Sequence, residues 1–161
     1  MDYIERNTVW GFNERTRKNL KFINAAWDNG STDVHIVTQL ITSLLGLIVF
    51  PYAEIQERGD TAFKSYRLDD LTAEGWPKWT FKINQSDNLY DLVWHLRNAT
   101  SHWGLRFFSD SRKLEEVEIQ FSDRLNKDAP YNWRATINAA DLQRFVLLFA
   151  DLLKTKERDN S

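Results

Sequence analysis

No cysteine occurs among the 161 residues, which excludes a disulfide framework, thiolate zinc sites and a cysteine nucleophile. Histidine is nearly missing too, and three in the whole chain exclude a histidine-rich metal cage. Neither sign of charge is in excess: 21 Lys and Arg face 23 Asp and Glu, for a net charge of −2. A protein that coats nucleic acid nonspecifically is far more basic, so any nucleic-acid contact must be a local patch. A membrane span of about 20 apolar residues is not evident. The longest greasy segment, Ile36 to Phe50, is interrupted by Thr38, Gln39, Thr42, Ser43 and Gly46 and stops at Pro51. The opening MDYIERNTVW lacks the basic-then-apolar pattern of an export signal, so the expected location is the cytoplasm. The glycosylation triplets at Asn29 and Asn98 are then chance matches. With no phosphate-cradling glycine loop and no nucleophile elbow, nucleotide hydrolysis and serine chemistry have no support.

What the chain does have is aromatic area: 14% of its residues, including 7 Trp, within a hydrophobic fraction of 42%. That much rigid apolar surface supports a well-packed core, or a core plus an interface. The length fits one domain over 1–155, followed by a frayed tail over 156–161. Four helical patterns organise it. The first runs from about Asn13 to Trp27, with Phe12, Thr16, Leu20, Ile23 and Trp27 at steps of three and four. The second starts near Asp33 as N-cap, runs past Phe50, and is apolar on nearly every side, as a central buried helix is. Gly46 in its middle is destabilising unless a neighbouring helix packs closely there, and Pro51 bends or ends it. The stretch from Arg58 to Gln85 is irregular, with a short turn capped by Asp69 or Asp70 and a breaker at Gly75-Trp76-Pro77.

Ser86 or Asp87 caps the third helix, which runs to about Trp103 and is closed by Gly104. Val117, Ile119 and Phe121 alternate with polar residues as a half-buried strand, and Trp133, Ala135 and Ile137 form its hairpin partner. The last helix starts at Asn138 with a capping box to Asp141 and carries Leu142, Phe145, Val146, Phe149, Leu152 and Leu153. The expected fold class is therefore all-α, a bundle of four to five helices with one β-hairpin inserted before the last.

The third helix has two dissimilar faces. At 100° per residue, Leu89, Leu92, Val93, Leu96, Ala99, Thr100 and Trp103 form one apolar stripe. The other side collects Asp91, Trp94, His95, Asn98, Ser101 and His102, with Arg97 at the border. A solvated face carries Lys and Glu, and this one has neither, which suits an interface or a catalytic site.

Within that face the run Arg97-Asn98-Ala99-Thr100-Ser101-His102 resembles the Arg-x4–6-His signature of HEPN domains (higher eukaryotes and prokaryotes nucleotide-binding). Asn98, directly after the arginine, is the commonest choice there, and the preceding LYDLVWHL and following Gly104 fit the local context. The greasy second helix and the late hairpin are similar to a small stand-alone bacterial branch, often plasmid- or defence-associated. The resemblance implies a HEPN-like bundle and a metal-independent endoribonuclease with no cofactor, toxin-like or anti-phage in its biology. It also implies a homodimer, in which two copies of the motif face each other across a cleft, and allows a cognate antitoxin. RNA supplies its own nucleophile, the 2′-hydroxyl, so cleavage needs a proton acceptor, a proton donor and a stabiliser of the phosphorane. Histidine titrates near neutrality, which suits His102 as general acid or base. Arg97 offers a planar fork matching two phosphate oxygens. Asn98, one turn before His102, is placed to orient the imidazole or bond the phosphate. Ser101, Arg106, Arg112 and Lys113 are the expected substrate-binding residues, the three cations forming the local basic patch. Asp91, Trp94 and His95 are expected in supporting or interface roles, with Trp94 at the dimer seam.

Blander readings stand beside these. Arg97 and His102 can be structural, bonding carbonyls or carboxylates inside the bundle, and a HEPN domain can keep its fold yet serve only to bind RNA, a nucleotide or a protein. His95 reads as an interface polar residue, and His35 as surface. His95 and His102 lie about 10 Å apart along a helix axis, too far to share a metal ion. Trp76, Lys78 and Trp79 can stack RNA bases, although aromatic residues flanking a proline more often pack into the bundle. Glu115, Glu116 and Glu118 read as a solvated strand face.

Overall fold

The computed structural model describes residues 8–159. Helix α1 (Val9–Asp28) begins where the Thr8 hydroxyl accepts from the Gly11 N–H, satisfying one of the unpaired donors of a helix start. It packs along a second helix that is longer than its sequence suggests. The latter, α2 (Ile36–Glu57), starts after His35 rather than at Asp33, and it runs through Pro51 instead of stopping there.

The device that admits the proline is a π-helical turn over Leu45–Val49. The Phe50 N–H reaches back five residues to the Leu45 carbonyl, so the Gly46 carbonyl would need the N–H of residue 51, which proline lacks. Asn13 of α1, itself buried, donates its side-chain N–H to that carbonyl at 3.2 Å. The same spot explains Gly46. A Cβ there would collide with the Thr16 side chain, so glycine permits the close approach of α1. By length and apolar composition α2 could cross a membrane, but half of its apolar window is buried inside the fold. Leu40, Leu44, Leu47 and Ile48 form the middle of the core.

The connection after α2 contains a 3₁₀ turn (Ala62–Ser65), the short helix α3 (Leu68–Ala73) and strand β1 (Thr80–Ile83). Neither Asp69 nor Asp70 caps α3; both lie in its first turn, after Arg67. Helix α4 (Leu89–Ser101) is capped by Asn88, whose side chain accepts from the Asp91 N–H. Strands β2 (Leu105–Phe107), β3 (Glu118–Asp123) and β4 (Trp133–Asn138) follow, then α5 (Ala139–Asp159). Asn138 accepts from the Ala140 N–H at the start of α5. That helix continues to Asp159, through most of the stretch expected to fray; residues 160 and 161 lie outside the described part.

The fold is not purely all-α. The expected hairpin, β3 with β4, is the centre of a four-stranded antiparallel sheet in the order β1-β4-β3-β2. Three or four residues are too few to display a period of two, so β1 and β2 acquire their identity from pairing with the hairpin. One face of the sheet packs on the helices. Trp79 meets Phe121 of β3 and Phe145 of α5 edge to face, with ring centroids 5.8 and 5.3 Å apart. Trp76 packs likewise on Phe145, so these tryptophans serve the core.

Candidate active site

The two-faced character of α4 governs the site. Leu89, Leu92, Val93, Leu96 and Ala99 are buried, as the stripe predicts. Trp103 is not: the helix has ended before it, and the side chain is 67% exposed. The ending is a Schellman motif, in which the Gly104 N–H donates to Ala99 O and the Trp103 N–H to Thr100 O. Its left-handed residue is Trp103, at φ 53°, and not the glycine. Gly104 is needed for another reason. A Cβ there would run into the backbone carbonyl of Ser122 on β3, whose own N–H donates to Gly104 O at 2.7 Å.

The polar face of α4 meets a residue that the motif does not contain. Asp123, last in β3, is 7% exposed and lies on the same side of the sheet as Ile119 and Phe121. Its Oδ2 accepts from Asn98 Nδ2 at 3.0 Å and pairs with His95 Nδ1 at 2.8 Å, while Oδ1 accepts from the Arg124 N–H at 2.8 Å. His95 is held on further sides. Its Nε2 lies 3.8 Å from the Asp91 carboxylate, and its ring stacks on Trp133 with centroids 4.6 Å apart and planes 8° from parallel. Trp94, 41% exposed, lies against the same His95 ring, with centroids 4.7 Å apart. His95 is thus a component of the buried network rather than a loose polar residue of a surface.

Arg97 donates from one terminal nitrogen to Asn98 Oδ1 at 2.8 Å, which extends the chain to Arg97–Asn98–Asp123–His95. Its Nε is buried with no hydrogen-bond partner. The guanidinium is close enough to α2 to act on Tyr52, whose phenol is pushed well above tyrosine's ordinary range by burial and by the Tyr90 hydroxyl; the Arg97 charge works against both.

His102 caps the C-terminal end of α4 and is exposed. It opens on a groove of about 380 Å³ shared with Gly104, Ser122, Asp123 and the β3–β4 loop, including Arg124, Lys127 and Tyr131. Asp123 therefore links the motif to the groove: it binds Asn98 directly and lines the groove that His102 also borders. Ser101 is exposed on the last turn of α4.

The three cations expected to form the basic patch do not line this groove. Arg112 is turned away, donating to the Thr32 and Val34 carbonyls at 2.8 and 2.6 Å with its guanidinium over Trp27, so it clamps the α1–α2 loop. Lys113 pairs with Glu116 at 3.6 Å, and Arg106 lies over the Phe108 ring. Glu116 also accepts from the Ser111 hydroxyl, which lowers its carboxyl below the usual range. The cations actually at the groove are Arg124 and Lys127, with Arg134 bonded to its Ser122 wall at 3.0 Å. One signal could have revealed Asp123. It continues the inward row of 117, 119 and 121, where a carboxylate demands a buried partner. Among the described residues no three His, Asp or Glu side chains are grouped to hold a metal.

Comparison with curated proteins and with solved structures finds no match. A family model described as HEPN pEK499 p136 matches residues 1–160, nearly the entire chain. With that extent of agreement, and with the Arg-Asn-x3-His run on the polar face of α4, the chain belongs to the HEPN family.

Proposed function

We propose that the protein is an endoribonuclease that cleaves RNA by attack of the 2′-hydroxyl, without a catalytic metal. HEPN domains are generally ribonuclease-like or nucleotide-binding modules. The observation that carries the reading is the hydrogen-bonded chain from Arg97 through Asn98 to Asp123, which fixes the motif beside the groove that His102 faces. In the reaction the 2′-oxygen bonds to phosphorus as the bond from phosphorus to the 5′-oxygen breaks. One imidazole takes the 2′-hydroxyl proton, and a second proton donor supplies the leaving 5′-oxygen. Arg97, once turned from Asn98 to the phosphate, neutralises the extra charge of the phosphorane. The products are a 2′,3′-cyclic phosphate and a 5′-hydroxyl.

One motif holds one such histidine, so acid and base come from two copies of the chain. A homodimer that brings the polar faces of α4 together would use the exposed Trp94 at its seam. Action in the cytoplasm as a toxin or a defence nuclease, with or without an antitoxin, fits this activity.

A second reading, a HEPN module that binds RNA or a protein without cutting, draws on Arg97 being engaged with Asn98 and half-buried. The deciding assay is cleavage of total bacterial RNA in EDTA by wild type, Arg97→Ala and His102→Ala, with native mass measured alongside. Cutting that leaves cyclic-phosphate ends and is lost in both variants supports the enzyme. Retained cutting by His102→Ala refutes the assignment of that histidine, and RNA binding without cutting by wild type favours the module. A monomer that cuts RNA at micromolar concentration overturns the two-copy site.

A further inference from the structure

We propose that the loop joining β3 to β4 is a binding site for the backbone of unpaired RNA, holding the strand as it leaves His102; this rests on the ribonuclease reading of the same groove. The loop spans 124–132 and forms the wall of the groove opposite the end of α4. One cation of the loop, Arg124, and one of β4, Arg134, lie against the same phenol. The Arg124 guanidinium lies 4.9 Å from the Tyr131 ring centre, and that of Arg134 lies 5.5 Å from it.

Among the described residues, neither arginine nor Lys127 has a carboxylate within ion-pair range. The acidic side chain that lines the groove is Asp123, and its two oxygens already serve Asn98, His95 and the Arg124 N–H; Asp128, in the loop itself, is not part of the groove lining. Cations held close together with no carboxylate in ion-pair range form a site for an anion, and a phosphodiester fits the planar fork of Arg124. A chain with a net charge of −2 has to concentrate positive potential somewhere to bind RNA, and here it does so beside the motif.

The apolar members of the loop indicate which form of RNA. Leu125 is 84% exposed and borders the groove, as does Tyr131, exposed to 39%. A duplex keeps its base faces stacked inside and would leave both side chains in water. An unpaired strand offers bases and ribose that can pack on them while its phosphates meet the cations.

The test measures binding separately from cleavage. A fluorescent 2′-O-methyl oligonucleotide, which lacks the attacking hydroxyl, is titrated by anisotropy over a range of salt, both alone and annealed to its complement. Wild type is expected to prefer the single strand by at least tenfold. For Arg124→Ala/Lys127→Ala, the slope of log affinity against log salt falls by about 1.4, the value for two phosphate contacts on a single strand. Leu125→Ala weakens the single strand and leaves the duplex unchanged. Thermal unfolding of these variants should match wild type, since the side chains removed are exposed. An unchanged salt slope in the double variant, or equal affinity for single strand and duplex, overturns the proposal. If the double variant loses the slope while wild type fails to cut any RNA, the loop site stands and the ribonuclease reading falls. If wild type cuts and the slope does not move, the reverse holds.

Discussion

Replacing Asp123 by alanine tests whether one buried carboxylate ties the sheet to the motif helix. The side chain accepts from Asn98, His95 and the Arg124 N–H at 3.0, 2.8 and 2.8 Å. Hydrogen bonds to a charged group contribute roughly 1.5–3 kcal/mol each, and an orphaned buried donor costs about 1–3 kcal/mol. Asp123 borders the groove, so water can reach part of the vacated space and the low end of these ranges applies. Three orphaned donors at about 1 kcal/mol each give a total near 3 kcal/mol, which for a chain of this size lowers Tm by about 6–12 °C. The assay is thermal and urea unfolding followed by circular dichroism. Asp123→Asn keeps one carbonyl oxygen where Asn98 and His95 converge, so its loss should be smaller. Asn98→Ala combined with Asp123→Ala should depart from additivity by roughly 0.5–3 kcal/mol, because the two residues share one bond. A Tm for Asp123→Ala within about 2 °C of wild type would refute the network as a structural tie.

Four further outcomes are expected. Gly46→Ala forces a Cβ into the Thr16 side chain and should cost about 1–3 kcal/mol in urea unfolding, with partial recovery when Thr16→Ala is added. Arg112→Ala loses the clamp on Thr32 and Val34, so it should lower stability by about 1–3 kcal/mol while leaving the salt dependence of RNA binding unchanged. Trp103→Gly relieves the left-handed backbone and should be neutral or stabilising by up to about 1 kcal/mol. Gly104→Ala, its neighbour, should be strongly destabilising because the obstacle is backbone, and equal effects at the two positions would contradict the roles given to them.

Much of the helical frame and the centre of the sheet could be read from periodicity. The inward stripe of α4 as far as Ala99 and the hairpin of β3 with β4 follow from spacing, whereas the register that sets Ile119 opposite Ile137 and Phe121 opposite Ala135 does not. What could not be read depends on partners distant in sequence. The continuation of α2 through Pro51 requires Asn13, a residue of another helix, to satisfy the Gly46 carbonyl. The basic patch is the sharpest case. Arg106, Arg112 and Lys113 are neighbours of the motif in sequence, yet β2 and the turn after it carry Arg112 back to the α1–α2 loop. Arg124 and Arg134 are ten positions apart, and the hairpin folds them onto one Tyr131 ring.

The placement of His102 shows why the motif and the sheet have to be considered together. An Arg-Asn-x3-His run on an uninterrupted helix would put the histidine one turn beyond Asn98, on the same face. Here α4 stops at Ser101, and His102 occupies the cap. The stop is imposed from outside the helix. Gly104 must lie against the Ser122 carbonyl for β2 to join β3, and reaching that contact in two residues requires the turn through Trp103 at φ 53°. A tryptophan is a poor residue for that conformation, so its presence marks a position fixed by the strand pairing rather than by local preference. The same pairing brings Asp123 beneath Asn98 and sets the β3–β4 loop across the groove from His102. Lengthening the link between α4 and β2 by one residue would release the helix end and separate the imidazole from the groove, even with every residue of the motif retained.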